Sequence, residues 1–192
     1  MTSMLALACG IVLLGIPSVQ AAAQADATVP VAPFRSVELR NGGRVILRHG
    51  PTQRVTFLKG SPGSTQVTVS SDDGLVIDCM SKHARGYELE IEIVTPELAG
   101  LSVAHGGTIQ SRGSFPRQAE IGVSVDNGGT IDIRSMSVGS VSASVLSGGR
   151  ILAQPLTMMA ATVVEGGSIT YWGDARVTQS IEHGGSVTKG VP

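Results

Sequence analysis

Between Phe34 and Val94, apolar residues fall on every second position: Val37/Leu39, Val45/Leu47, Val55/Phe57, Val67/Val69 and Leu75/Ile77, then Tyr87/Leu89/Ile91/Ile93 against Glu88/Glu90/Glu92. A period of two sends alternate side chains to opposite faces of a strand, so each run predicts a half-buried strand, the last with a wet acidic face. Turn chemistry separates the runs. Ser61-Pro62-Gly63 breaks one pair, and Asp72-Asp73-Gly74 sits between Val67-Thr68-Val69 and Leu75-Val76-Ile77 as the turn of a hairpin. Antiparallel or mixed pairing is expected here, and no amphipathic helix is predicted.

After Thr95-Pro96 the pattern changes to a repeat. A Gly-Gly pair recurs with its first glycine at Gly106, Gly128, Gly148, Gly166 and Gly184, at intervals of 22, 20, 18 and 18 residues. Three residues before each first glycine stands Val103, Val125, Val145, Val163 or Ile181, and three after it stands Ile109, Ile131, Ile151, Ile169 or Val187. A sixth copy, Val37 to Val45 around Gly42-Gly43, opens the domain with Leu39 in the first apolar position. Each unit predicts a strand, a two-glycine corner at positive φ, and a second strand. One unit cannot bury its own apolar face, so stacked units are expected, with the Val and Ile residues in two internal columns. The period fits three faces of about six residues or a flatter two-sheet winding. The expected fold is therefore all-β: a β-solenoid, a parallel β-helix-like stack of Gly-Gly-cornered coils, with an N-terminal antiparallel or mixed β portion.

Composition narrows this further. Of 192 residues 42% are hydrophobic but only 3% aromatic, with 25 glycines, so the core must be aliphatic. Fourteen basic residues against 15 acidic, without a Lys/Arg block, leave no electrostatic footprint for nucleic acid. Leu5 to Val19 is a mostly apolar run shorter than the roughly 20 residues that span a bilayer. Ala-x-Ala sites at Ala21-Ala22-Ala23 and Ala23-Gln24-Ala25 follow it. Residues 1–25 are expected to be a signal peptide, residues 26–33 a linker, and residues 34–192 the folded domain, with no transmembrane segment in the mature chain. The n-region lacks Lys and Arg, and an uncleaved anchor is the alternative. Cys9 lies too early for a lipidation box. Cys79 shares the face of Leu75 and Ile77 and is expected to be a small buried hydrophobe, so no disulfide framework exists.

Several segments in order carry a family likeness: Phe34-Arg35-Ser36-Val37-Glu38-Leu39, Asp73-Gly74-Leu75-Val76-Ile77, Ile93-Val94-Thr95-Pro96-Glu97-Leu98, the glycine ladder, and Gly167 through Ala175. On these the chain, over about residues 34 to 190, resembles the bacterial "putative auto-transporter adhesin, head-GIN domain" family, formerly a domain of unknown function. The resemblance implies an exported β-solenoid with an adhesive or surface role and no established catalytic residues. The chain departs from the family in reading Gly-Gly-x where many repeats read Gly-Ser-Gly, and in lacking the usual Pro around Asp174-Ala175. No membrane-barrel strands follow Val191-Pro192, so self-export is not expected.

The chemical candidates are few. The residues before the glycine pairs, His105, Asn127, Ser147, Glu165 and His183, are expected to form an outward column with Glu165 beside His183. Two ligands do not make a metal site, and Ile or Val replaces the Asp that a calcium-binding glycine repeat needs. No nucleophile elbow, Walker loop or glycosidase pair is present, so neither enzyme activity nor a cofactor is expected. Trp172 is the only tryptophan, and alternation from Ile169 and Tyr171 points it outward beside Gly173. There the indole could stack on a sugar or anchor a partner; otherwise it covers the open end of the stack or packs under the N-terminal sheet. The expected function is that of a non-catalytic cell-envelope protein for adhesion or assembly, in the periplasm, on the outer surface or secreted; the sequence does not specify the partner, for which a glycan and a cell-surface protein are the candidates. The rivals are a periplasmic scaffold and a polysaccharide-acting enzyme.

Overall fold

The computed structural model describes residues 27–80 and 88–191, all strand, turn and loop, with no helix among them. The leader expected over residues 1–25, together with Asp26, His83, Tyr87 and Pro192, lies outside the described residues. The N-terminal strands are β1 (Ala27–Val29), β2 (Ser36–Arg40), β3 (Arg44–His49), β4 (Arg54–Lys59), β5 (Gln66–Val69), β6 (Gly74–Asp78) and β7 (Glu90–Thr95). Here pairing is mixed: β2 with β6 and β3 with β7 are parallel, while β4 with β7, β5 with β6 and β1 with β4 are antiparallel. The β5–β6 hairpin turns where expected, with Asp73 at φ 59° and the Ser70 hydroxyl donating to the Asp72 carboxylate at 2.5 Å. That bond holds the exposed Asp72 below the usual carboxylate range. β1 arises within the stretch expected to be a linker and adds an edge strand beside β4.

The repeat gives β8 (Gly100–Ala104), β9 (Thr108–Ser111), β10 (Gln118–Asp126), β11 (Thr130–Asp132), β12 (Val138–Ser147), β13 (Arg150–Ala153), β14 (Pro155–Glu165), β15 (Ser168–Tyr171), β16 (Arg176–Ile181) and β17 (Ser186–Lys189). Even-numbered strands of the repeat enter an eight-stranded sheet ordered β16-β14-β12-β10-β8-β2-β6-β5, and its odd-numbered strands a nine-stranded sheet ordered β1-β4-β7-β3-β9-β11-β13-β15-β17. Both sheets are mixed overall, but every pair from β8 onward is parallel. The early copy joins the same ladder. β2 lies beside β8 with Leu39 opposite Val103, and β3 beside β9 with Val45 opposite Ile109.

Burial follows the two apolar columns. Leu39, Val103, Val125, Val145 and Val163 form one fully buried line, and Val45, Ile109, Ile131, Ile151 and Ile169 the other. Phe34, Phe57 and Phe115 add the few aromatic side chains that the core contains, and Cys79 is buried as its alternation predicts. On the acidic face of β7, Arg48 meets Glu92 at 2.7 Å and Lys59 meets Glu88 at 3.0 Å. These exposed pairs neutralise the face more than they stabilise it.

The two glycines of a corner are glycine for different reasons. At Gly148 φ is +66°, and an added Cβ would meet nothing within 4 Å. At Gly149 φ is +100°, and a Cβ would lie 2.5 Å from Val125 Cγ1 and 3.1 Å from the Gly129 carbonyl oxygen on the preceding rung. The first glycine allows the turn; the second lets adjacent rungs approach.

Candidate functional site

The outer face of the eight-stranded sheet carries a hydroxyl line. Ser102, Ser124, Ser144, Thr162 and Ser180 pair rung to rung, and the Ser124 hydroxyl donates to Ser102 Oγ at 3.1 Å. Two positions earlier run Gly100, Gly122, Ser142, Ala160 and Thr178. Side chains this small keep the face flat and leave a shallow trough reaching Ser36, Glu38 and Ser70. Glu38 is clamped there by Arg40 through two bonds of 2.7 Å. Exposed Leu146, Leu156 and Met158 give the same sheet an apolar fringe.

A second concavity opens beside the nine-stranded sheet and includes Gln110, Asp132, Arg134, Gln154 and Trp172. The Arg134 guanidinium grips Asp132 with bonds of 2.9 and 2.7 Å and lies 5.0 Å from the Trp172 ring centroid. Trp172 Nε1 donates to the Val191 carbonyl at 3.1 Å, and a Cβ on Gly190 would come within 2.2 Å of the indole. The indole is thus held by Arg134 and by the Gly190–Val191 backbone. It fastens the final segment of the chain and is only partly exposed.

Gly190→Ala should therefore displace the indole and, as an overpacking change, cost about 1–3 kcal/mol. Because Trp172 is the sole tryptophan, a red shift of intrinsic fluorescence reads the displacement directly. Lys189 donates to Asp174 beside this clasp at 2.8 Å, and that bond holds the Asp174 carboxyl below its ordinary 3.8. A depressed carboxylate contributes above its unfolded value and loses that contribution as pH falls through its folded one. The fluorescence should stay constant from neutral pH down to about pH 5 and change only in stronger acid.

The column before the glycine pairs has one register but two backbone conformations. Asn41, His105 and Asn127 sit at φ 62°, 61° and 54°, whereas Ser147 and Glu165 continue their strands. Glu165 faces Ser147 in the ladder, and His183 follows on the next rung with its N–H on the Val164 carbonyl at 2.7 Å. Glu165 and His183 are both exposed, and no hydrogen bond or ion pair joins them among the described residues. Nor, among those residues, do three or more His, Cys, Asp or Glu gather to hold a metal.

Sequence reasoning missed the Asp132–Arg134 arm over Trp172, yet a signal was present. The intervals of 22 and 20 exceed the later 18 because the first returns, 112–117 and 133–137, are longer, and Arg134 stands in the second of them. A smaller cleft of about 330 Å³ lies between Phe34, Gln53, Leu98 and Gln118. Gln53 closes its floor by donating to the Phe34 carbonyl at 2.6 Å and accepting the Phe34 N–H at 3.1 Å. Residues so far apart in sequence gave no motif.

No family model matches the chain, and no curated protein matches it. Solved structures do. A "putative adhesin" of Bacteroides fragilis NCTC 9343 is 18% identical with a TM-score of 0.55, the match covering 85% of this chain and 94% of that one. A "putative cell adhesion protein" of Clostridium sporogenes ATCC 15579 is 10% identical at a TM-score of 0.41, covering 85% and 98%. A "putative lipid binding protein" of Parabacteroides distasonis ATCC 8503 is 13% identical at 0.36, covering 86% and 96%. The Bacteroides protein shares the fold of this chain. Among the described residues no helix is long and apolar enough to cross a membrane.

Proposed function

We propose that this is an exported, non-catalytic cell-envelope protein in which the Gly-Gly-cornered rungs form a β-solenoid, and that the solenoid is an adhesive or assembly module of the head-GIN kind. The carrying observation is the flat outer face of the eight-stranded sheet, where Ser102, Ser124, Ser144, Thr162 and Ser180 repeat at one rung spacing. A rigid row of hydroxyls every ~4.8 Å offers many weak, regularly spaced hydrogen bonds to an extended polar partner such as a glycan or a cell-surface protein. Affinity then comes from the number of contacts rather than from one deep pocket. The name of the Bacteroides fragilis neighbour, a "putative adhesin", points the same way.

Binding of the exported protein to whole cells and to immobilised glycans tests this reading. Ser144→Arg combined with Thr162→Arg should abolish binding while leaving the melting temperature within a few degrees of the parent. Retained binding in the double variant would remove the face from the account. Confinement to the periplasm with no binding would favour a scaffold, and turnover of a glycan would favour an enzyme.

A further inference from the structure

We propose that the protein forms a two-fold dimer through its last rung, with β16 of one copy pairing antiparallel with β16 of a second copy. The observation is an asymmetry between the two ends of the stack. At the N-terminal end the edge strands are β1, three residues long and followed by Pro30 and Pro33, and β5, four residues long. Short edges and nearby prolines are how sheets avoid joining other sheets. At the other end β17 is as short as β5, but β16 has neither device. β16 runs for six residues without proline, and its ladder with β14 is in register throughout. The rung is also unfinished: Ile181, which continues the buried column of Val163, is 40% exposed, and Val177 and Val187 are only partly covered.

The sequence of this edge selects the occupant. Arg176-Val177-Thr178-Gln179-Ser180-Ile181-Glu182 is self-complementary about Gln179. In an antiparallel pair centred on Gln179, Arg176 stands opposite Glu182 of the second copy, Val177 opposite Ile181, and Thr178 opposite Ser180. The two Gln179 side chains meet at the axis, where each amide can donate to and accept from the other. Glu182 still belongs to the ladder, its N–H donating to the Val163 carbonyl at 3.0 Å. Neither Arg176 nor Glu182 enters an ion pair among the described residues, and both are exposed. Opposite charges directly across a strand pair attract and like charges repel, so this register is favoured over its neighbours. A two-fold contact is closed, which limits the assembly to two copies.

Sedimentation equilibrium of the exported protein, untagged at its C-terminus, over about a hundredfold range of concentration tests the proposal. The expected species is a dimer. Arg176→Glu and Glu182→Arg should each weaken it roughly 30-fold, because every reversal turns two attractive pairs into two repulsive ones. The doubly reversed R176E/E182R chain should recover parental affinity to within about threefold. Both positions are exposed, so at a concentration below dimer formation all three variants should melt with the parent. A monomer at every concentration, a dimer indifferent to the single reversals, a double variant as weak as the singles, or open-ended growth would each overturn the proposal.

Discussion

Gly149→Ala should destabilise the protein by about 3–5 kcal/mol, whereas Gly148→Ala, one residue earlier, should cost only about 1 kcal/mol. At Gly148 the backbone lies at φ +66°, within the left-handed region that L-residues can enter, and the added methyl would project into open space. Asparagine there should be nearly neutral, since Asn127 and Asn41 already hold left-handed corner positions elsewhere in the ladder. At Gly149, φ +100° lies outside that region. The methyl would also collide with Val125 Cγ1 at 2.5 Å and crowd the Gly129 carbonyl at 3.1 Å. The valine is fully buried, and the Gly129 carbonyl accepts the Arg150 N–H, so neither neighbour can yield cheaply. Against a typical stability of about 5–15 kcal/mol, such a loss would leave the chain largely unfolded on modest warming. Urea unfolding of the two variants checks this; equal losses would mean that the corner, not the contact between rungs, demands glycine.

Ile131→Ala should cost about 3–4 kcal/mol and Ile181→Ala about 1 kcal/mol or less in the monomer, although the chemical change is identical. Ile131 is fully enclosed in the column between Ile109 and Ile151, so its truncation leaves a cavity that rigid parallel ladders on both sides cannot close. Ile181 stands on the edge strand β16, 40% exposed, with no rung beyond it among the described residues. The same urea titration, run at a concentration below dimer formation, distinguishes them. Equal costs would show that the last rung is as enclosed as the middle ones.

The glycine spacing made the ladder legible because each corner repeats one steric requirement, and Val and Ile at fixed offsets repeat one burial requirement. Even the separated copy around Gly42-Gly43 stacks in register under the first repeat, across the intervening strands β4 to β7. Two features were not legible. Periodicity alone left open whether the repeat has two faces or three; the structure has two sheets, with returns as brief as Gln154, the single residue between β13 and β14. The surroundings of Trp172 were hidden as well. Alternation points the indole outward, but its partners come from Arg134, on a longer return two rungs away, and from Gly190–Val191 beyond it. Glu165 and His183 fall on neighbouring rungs as their spacing predicts, without a bond between them.

The stacking of equivalent rungs underlies both the hydroxyl face and the exposed β16 edge, and distances along that face test it most directly. Spin labels on Ser180 paired in turn with Ser144, Ser124 and Ser102 should lie about two, three and four rungs apart, rising by ~4.8 Å per rung to roughly 19 Å. A linear increase at that slope is the predicted result. Distances that do not grow in this order would contradict a stack of in-register coils, and with it the surface on which the proposed function rests.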